Sequence, residues 1–79
     1  MKYYIVIEDA LDHGSIFEEY DDIRVANEVF QSMIKEGPDG YDIGVELVQE
    51  GYDEEWETIE YHEWFTVEEW EAAHPNGIE

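Results

Sequence analysis

The longest unbroken apolar run of the chain, Tyr3-Tyr4-Ile5-Val6-Ile7, stops at Glu8-Asp9. A run this short, built from β-branched and aromatic residues, predicts a central strand and not a helix. Because it lacks alternation, Tyr4 and Val6 require a cover on the second face. Asp9 to Gly14 is turn material, and Ser15 to Tyr20 alternates weakly, with Ile16 and Tyr20 on one side and Phe17 on the other. That segment predicts a short return strand and a hairpin.

The period then changes. Ile23, Ala26, Phe30, Met33 and Ile34, with Val29 beside them, follow the spacing of one buried helical stripe, while Arg24, Asn27, Glu28, Gln31 and Lys35 fall outside it. Asp21 or Asp22 supplies the N-cap, since a carboxylate there accepts from the free amides of the first turn and suits the positive end of the dipole. Lys35 in the last turn, Gly37 as a left-handed cap and Pro38 just beyond it predict where the helix stops.

After Gly37-Pro38-Asp39-Gly40, Tyr41, Ile43, Val45 and Leu47 alternate with Asp42, Gly44, Glu46 and Val48, the period of a strand with one buried face. Glu50 to Glu55 reads as a polar loop. Trp56 to Phe65 alternates again, with Ile59 and Tyr61 expected inward and Thr58, Glu60 and His62 outward. Thr66 and Glu69 have the spacing of a capping box, which predicts a short helix through Ala73 stopped by Pro75 and Gly77. The order predicts an α+β domain over residues 1–79: an antiparallel sheet of about four strands (β-β-α-β-β-α), one main helix on one face and a short C-terminal helix. Tyr4, Val6, Val48 and Trp64 are expected on the face away from the main helix, covered by Val67 and Trp70 of the terminal helix or by a second subunit.

Charge changes the functional picture more than the fold. The 79 residues carry 23 Asp plus Glu against 3 Lys plus Arg, a formal charge of −20, yet 43% are hydrophobic and 15% aromatic, so a folded core is expected. Three cations scattered at Lys2, Arg24 and Lys35 cannot build the basic face that direct binding to nucleic acid or an anionic membrane requires. The absence of cysteine removes disulfides, thiolate metal sites and cysteine nucleophiles. No apolar run is long enough for a membrane span, and a cytoplasmic location is the expectation.

Site chemistry offers no alternative pattern. Asp9, Asp12 and Gly14 are a poor partial match to a calcium loop, and Asp53-Glu54-Glu55 reads as a solvated run. His62-Glu63 begins like a zinc-protease helix, but Thr66 stands where the second histidine belongs. His13, His62 and His74 read as surface or turn residues, and Ser15 lacks a nucleophile elbow. No metal, no cofactor and no enzymatic activity are therefore expected. Tyr61, Phe65 and Trp70 read as core, whereas Tyr52 and Trp56 sit among carboxylates as candidate interface anchors.

The acids themselves are the candidate site. A globule of this length has a radius of gyration of about 12 Å and a diameter of about 30 Å. Twenty charges across it come to about one per 1.5 Å, against about one per 1.7 Å for duplex DNA. The expected partner-binding surface is Glu50, Tyr52, Asp53, Glu54, Glu55, Trp56, Glu57, Glu60 and Glu63, with Glu55, Glu57, Glu60 and Glu63 approximating a row. A secondary acidic patch is expected at Glu18, Glu19, Asp21 and Asp22, where capping of the helix competes for the carboxylates.

In size, in its strand-strand-helix-strand-strand layout and in the acidic strand-loop-strand region from Asp42 to Glu63, the chain resembles the small acidic phage proteins that act as anti-CRISPRs and other DNA mimics. The resemblance implies a stoichiometric inhibitor that occupies a basic DNA-binding or PAM-reading surface of a CRISPR effector complex, working in the cytoplasm of an infected bacterium. An immunity or antitoxin protein plugging a basic nuclease site, and a generic acidic domain of halophile type, are the alternatives. A monomer is favoured over a homodimer, because −20 on each copy is repulsive.

Overall fold

The computed structural model describes residues 1–11, 13–51, 53 and 55–76. Its elements are β1 (Tyr3–Asp9), β2 (Gly14–Tyr20), α1 (Ile23–Glu36), β3 (Asp42–Glu50), β4 (Trp56–Glu63) and α2 (Val67–Ala73). The four strands form one antiparallel sheet in the order β2-β1-β3-β4, so the apolar β1 and the alternating β3 are central and the acidic β2 and β4 are edges. This is the α+β architecture the residue pattern predicts.

Helix α1 lies over β2, β1 and β3. Ile5 of β1 and Val45 and Leu47 of β3 meet Ala26 and Phe30 of α1 in a buried core, with Tyr3, Ile7, Tyr20, Val29, Met33 and Ile34 packed around it. Removing a side chain the size of Phe30 from water contributes about 1.5–3 kcal/mol. Asp22 caps α1 by accepting from the Arg24 N–H at 2.9 Å. Gly37 closes the helix at φ 87°, a value at which a side chain is strained, and its N–H donates to the Met33 carbonyl.

Helix α2 carries the expected capping box, with the Glu69 N–H donating to Thr66 Oγ1 and the Thr66 N–H donating to Glu69 Oε1, both at 3.0 Å. Its anchor is Trp70, which is 4% exposed, stacks on Tyr41 at 4.9 Å and donates its indole N–H to the Gly40 carbonyl. The helix is thus tied to the turn before β3, and not to Tyr4 and Val6, for which it was one of the two covers expected. Tyr4 is covered instead by Trp56 of β4, at a ring separation of 4.4 Å.

Two strand parities differ from expectation, and each difference has a β-bulge as its cause. On β4 the register to β3 shifts between Leu47↔Glu60 and Val48↔Thr58, which leaves Ile59 as the extra residue. Since paired residues share a face, the expected parity holds at Thr58 and is inverted beyond it: Tyr61 lies on the face away from α1, and Glu60 and His62 lie on the α1 side. Trp64 accordingly packs against the α1-side core, not beside Tyr4, and Tyr61 is exposed instead of core. On β2 the shift between Ile5↔Glu18 and Val6↔Ile16 leaves Phe17 extra, so Tyr20 stands with Tyr3 on the α1 side while Ile16 stands with Val6 on the other.

One helix on one sheet makes a flat plate of 42 × 26 × 18 Å, with a radius of gyration of 13.5 Å. The molecule is longer than the 30 Å globule expected for its length, because the single sheet is not closed by a second layer. No helix among the described residues is long and apolar enough to cross a membrane.

Candidate functional site

The strand register divides the acidic segment from Glu50 to Glu63 between two faces of the sheet. Glu50, Trp56, Thr58 and Glu63 lie on the open face, away from α1, whereas Glu57 and Glu60 lie on the α1 side. Glu55 and Asp53 belong to the connection, where the Gly51 N–H donates to the Glu55 carbonyl and Asp53 adopts φ 60°, a left-handed conformation that aspartate tolerates. Tyr52 and Glu54 lie outside the described residues. The row of Glu55, Glu57, Glu60 and Glu63 is therefore broken: the bulge at Ile59 brings Glu60 to the face of Glu57, and Glu63, three residues beyond Glu60, falls on the opposite face.

What the structure gathers instead is an open face shared by three strands. Tyr4, Val6 and Glu8 of β1 lie beside Val48, Glu46 and Gly44 of β3, which in turn lie beside Thr58, Tyr61 and Glu63 of β4. The Thr58 hydroxyl donates to Glu46 Oε1 at 2.6 Å, and the Tyr61 hydroxyl donates to Glu8 Oε2 at 3.4 Å. Val48 is 3% exposed although it faces away from the core, because Tyr4 and Trp56 close over this part of the sheet. Desolvation, then the charges of Glu50 and Glu19, raise the Tyr4 phenol above its ordinary range; desolvation followed by Glu8 and Glu63 does the same for Tyr61.

Glu8, Glu46, Thr58 and Tyr61 were not among the residues expected in the site. They come from three strands, and only the pairing of β1, β3 and β4 brings them together. The available signal was the missing alternation of β1, which announces a second face of consequence, and the position of Glu46 among apolar residues of β3.

The secondary patch is engaged by the chain's own cations. Lys2 Nζ pairs with Asp21 and, at 3.1 Å, with Glu19, while Arg24 binds Asp22 at 3.1 Å. The Lys2 hydrogen bond and charge hold the Asp21 carboxyl below its usual range, and Arg24 does likewise for Asp22 through its side-chain and backbone N–H groups. Glu18 accepts from the Tyr20 hydroxyl at 2.9 Å. These partners leave the β3–β4 half of the plate with the less compensated negative charge.

Two concavities flank the sheet. One of about 280 Å³ is lined by Glu8, Asp9, His13, Gly14, Ile43 and Val67, and the other, of about 420 Å³, is a groove between α1 and β4 containing Ile23, Asn27, Leu47 and Ile59. Among the described residues no three His, Asp or Glu side chains converge as metal ligands. His74 stacks on Trp70 at 4.3 Å with Nδ1 2.9 Å from the Trp70 carbonyl, and His62 meets Trp64 edge-on at 6.0 Å. Both are accounted for by local packing. The chemistry that remains is that of an exposed acidic surface bearing aromatic side chains, suited to receiving cations. No known protein family, curated protein or solved structure matches this chain.

Proposed function

We propose that this protein is a stoichiometric inhibitor that occupies a basic, DNA-reading surface of another protein, with the DNA-binding or PAM-reading surface of a CRISPR effector complex as its target. One observation carries the reading: the chain has 20 net negative charges and folds into a plate 42 Å long, with no charged side chain buried among the described residues. That is about one charge per 2.1 Å, close to the roughly 1.7 Å spacing of duplex DNA. The longer body lowers the density below the value expected for a globule, yet keeps it in the range that a phosphate-binding groove is built to meet. So large an excess opposes compaction, and solubility alone needs a net charge of only about 2–8. A basic partner that neutralises it offers a functional reason for the excess.

The test is retention of effector complexes and nucleases on the immobilised protein, followed by competition with target DNA. The expected result is a basic partner that DNA displaces, and a purified effector complex that loses target-DNA binding at one equivalent of inhibitor. A retained nuclease blocked at its active site would transfer the reading to an immunity protein. A partner insensitive to DNA would overturn mimicry altogether.

A further inference from the structure

On the open face two aromatic residues of β4 are each the cross-strand partner of a glutamate of β3: Trp56 is paired with Glu50, and Tyr61 with Glu46. We infer that these two pairs are sockets for arginine side chains of a basic protein partner, each ring stacking on a guanidinium whose N–H groups reach the adjacent carboxylate. The inference rests on the proposed inhibitor role and deepens it, by naming the side chain that the surface selects and the face that selects it.

Exposure is the first support. Trp56 is 46% and Tyr61 45% exposed, so both rings offer surface to a partner although one stacks on Tyr4 and the other bonds Glu8. Charge complementarity then decides among occupants. An apolar partner would desolvate Glu46 and Glu50 without compensation, and a second copy of the chain would bring a further 20 negative charges against them. A phosphate-bearing ligand is repelled for the same reason. A cation satisfies the carboxylates, and of the two cationic side chains only arginine is planar, weakly hydrated and forked, so that it stacks and donates at once. Lysine gains the charge attraction without the planar stack.

Spacing supports two sockets instead of one. Glu46 and Glu50 are four residues apart on β3, which places the pairs about 13 Å from each other on the same face. Thr58, whose hydroxyl donates to Glu46, orients the carboxylate of one socket.

The experiment uses the whole chain and two probes of equal charge, a hexa-arginine and a hexa-lysine peptide, titrated at roughly 100 mM salt where long-range attraction is damped. Affinity is read calorimetrically, and the site is read from the Trp56 indole and Tyr61 ring resonances. Hexa-arginine is expected to bind roughly fivefold to thirtyfold more tightly, the range that two exposed cation–π contacts supply. The double variant Trp56→Leu/Tyr61→Leu should bind both peptides equally, with an unchanged far-ultraviolet circular dichroism spectrum as the control for folding. Affinities within twofold of each other, a preference that survives the double variant, or binding of neither peptide would overturn the sockets. The DNA-competition result stands apart from this outcome. Displacement by DNA without an arginine preference would leave charge alone carrying inhibition, whereas an arginine preference without any DNA-sensitive partner would retain the sockets and remove the inhibitor reading.

Discussion

The ring of Tyr61 lies across Gly44 of β3, close enough that a Cβ at Gly44 would stand 2.7 Å from the Tyr61 hydroxyl and 3.2 Å from its Cζ. This glycine is required by a cross-strand approach and not by a turn. The absent side chain lets the phenol lie down along the sheet and reach Glu8, one strand further on.

Gly44→Ala should therefore lift the Tyr61 ring off the sheet. The half-exposed ring has solvent to move into, so a stability loss of about 1 kcal/mol is expected, at the low end for overpacking. The local consequence is more specific. Once away from Glu8 and from the desolvating sheet surface, the Tyr61 phenol should titrate nearer its ordinary value, which a pH series of tyrosine ring resonances would record. An unchanged titration in the alanine variant would show that the ring does not depend on Gly44.

The cap of α2 gives a second expectation. Thr66→Ala removes one half of the reciprocal box and should cost about 0.5–2 kcal/mol. Because Trp70 joins the seven-residue helix to Tyr41 and Gly40, the loss should appear first as increased solvent exposure of Trp70, with the sheet still intact. Fluorescence quenching compared with far-ultraviolet circular dichroism separates the two. Simultaneous loss of both signals would mean that α2 and the sheet unfold as one unit.

The helical and cap elements were legible because their signals are local. Ala26 and Phe30 fall on the predicted stripe, Asp22 and Gly37 bound it, and Thr66 with Glu69 caps the second helix. The faces of the edge strands were not legible beyond their bulges, since one inserted residue, Phe17 or Ile59, reverses every side chain that follows. Nothing in the composition of Trp56 to Glu63 marks the insertion, as an edge strand half exposed on both sides has no buried face to fix its parity. The site suffered most, because a contiguous acidic segment is visible in sequence while a face assembled from Tyr4, Glu8, Glu46 and Tyr61 is visible only after pairing.

Salt and acid should act on the fold in distinguishable ways. With −20 on the chain and both Lys2 and Arg24 already paired, screening relieves repulsion more than it weakens attraction. Raising salt from low to moderate should lift the melting temperature by at least about 4 °C, the shift that 1 kcal/mol produces in a domain of this size. An unchanged melting temperature would show that the carboxylates are too dispersed to interact.

The pH dependence has two opposing parts. Burial, then Asp39 and Asp9, raise the Asp42 carboxyl, so the folded state holds that proton more tightly and the penalty present at neutral pH is relieved as pH falls through the raised value. Asp21 and Asp22 are shifted down, so their contribution is complete above the ordinary aspartate pKa of about 3.9 and is lost as pH falls through their lowered values. Mild acid should stabilise the protein and stronger acid destabilise it. In Asp42→Asn the mild-acid gain attributable to that residue should disappear, and a gain of undiminished size would place its origin elsewhere.

The face that binds can be identified by reversals matched in charge. Glu46→Lys with Glu63→Lys alters the open face, whereas Glu57→Lys with Glu60→Lys alters the α1 side, and each pair changes the net charge by the same amount. If the open face meets the partner, the first pair should slow association and also speed dissociation, because lysines would stand beside the Tyr61 contact. The second pair should slow association only, through the weakened overall field. Glu46 has a partner in Thr58, so the first pair also needs a folding control, which unchanged melting at moderate salt provides. Loss of binding from the α1-side pair alone would locate the interface beside the Ile23, Leu47 and Ile59 groove, and equal losses from both would mean that total charge, with no preferred face, holds the partner.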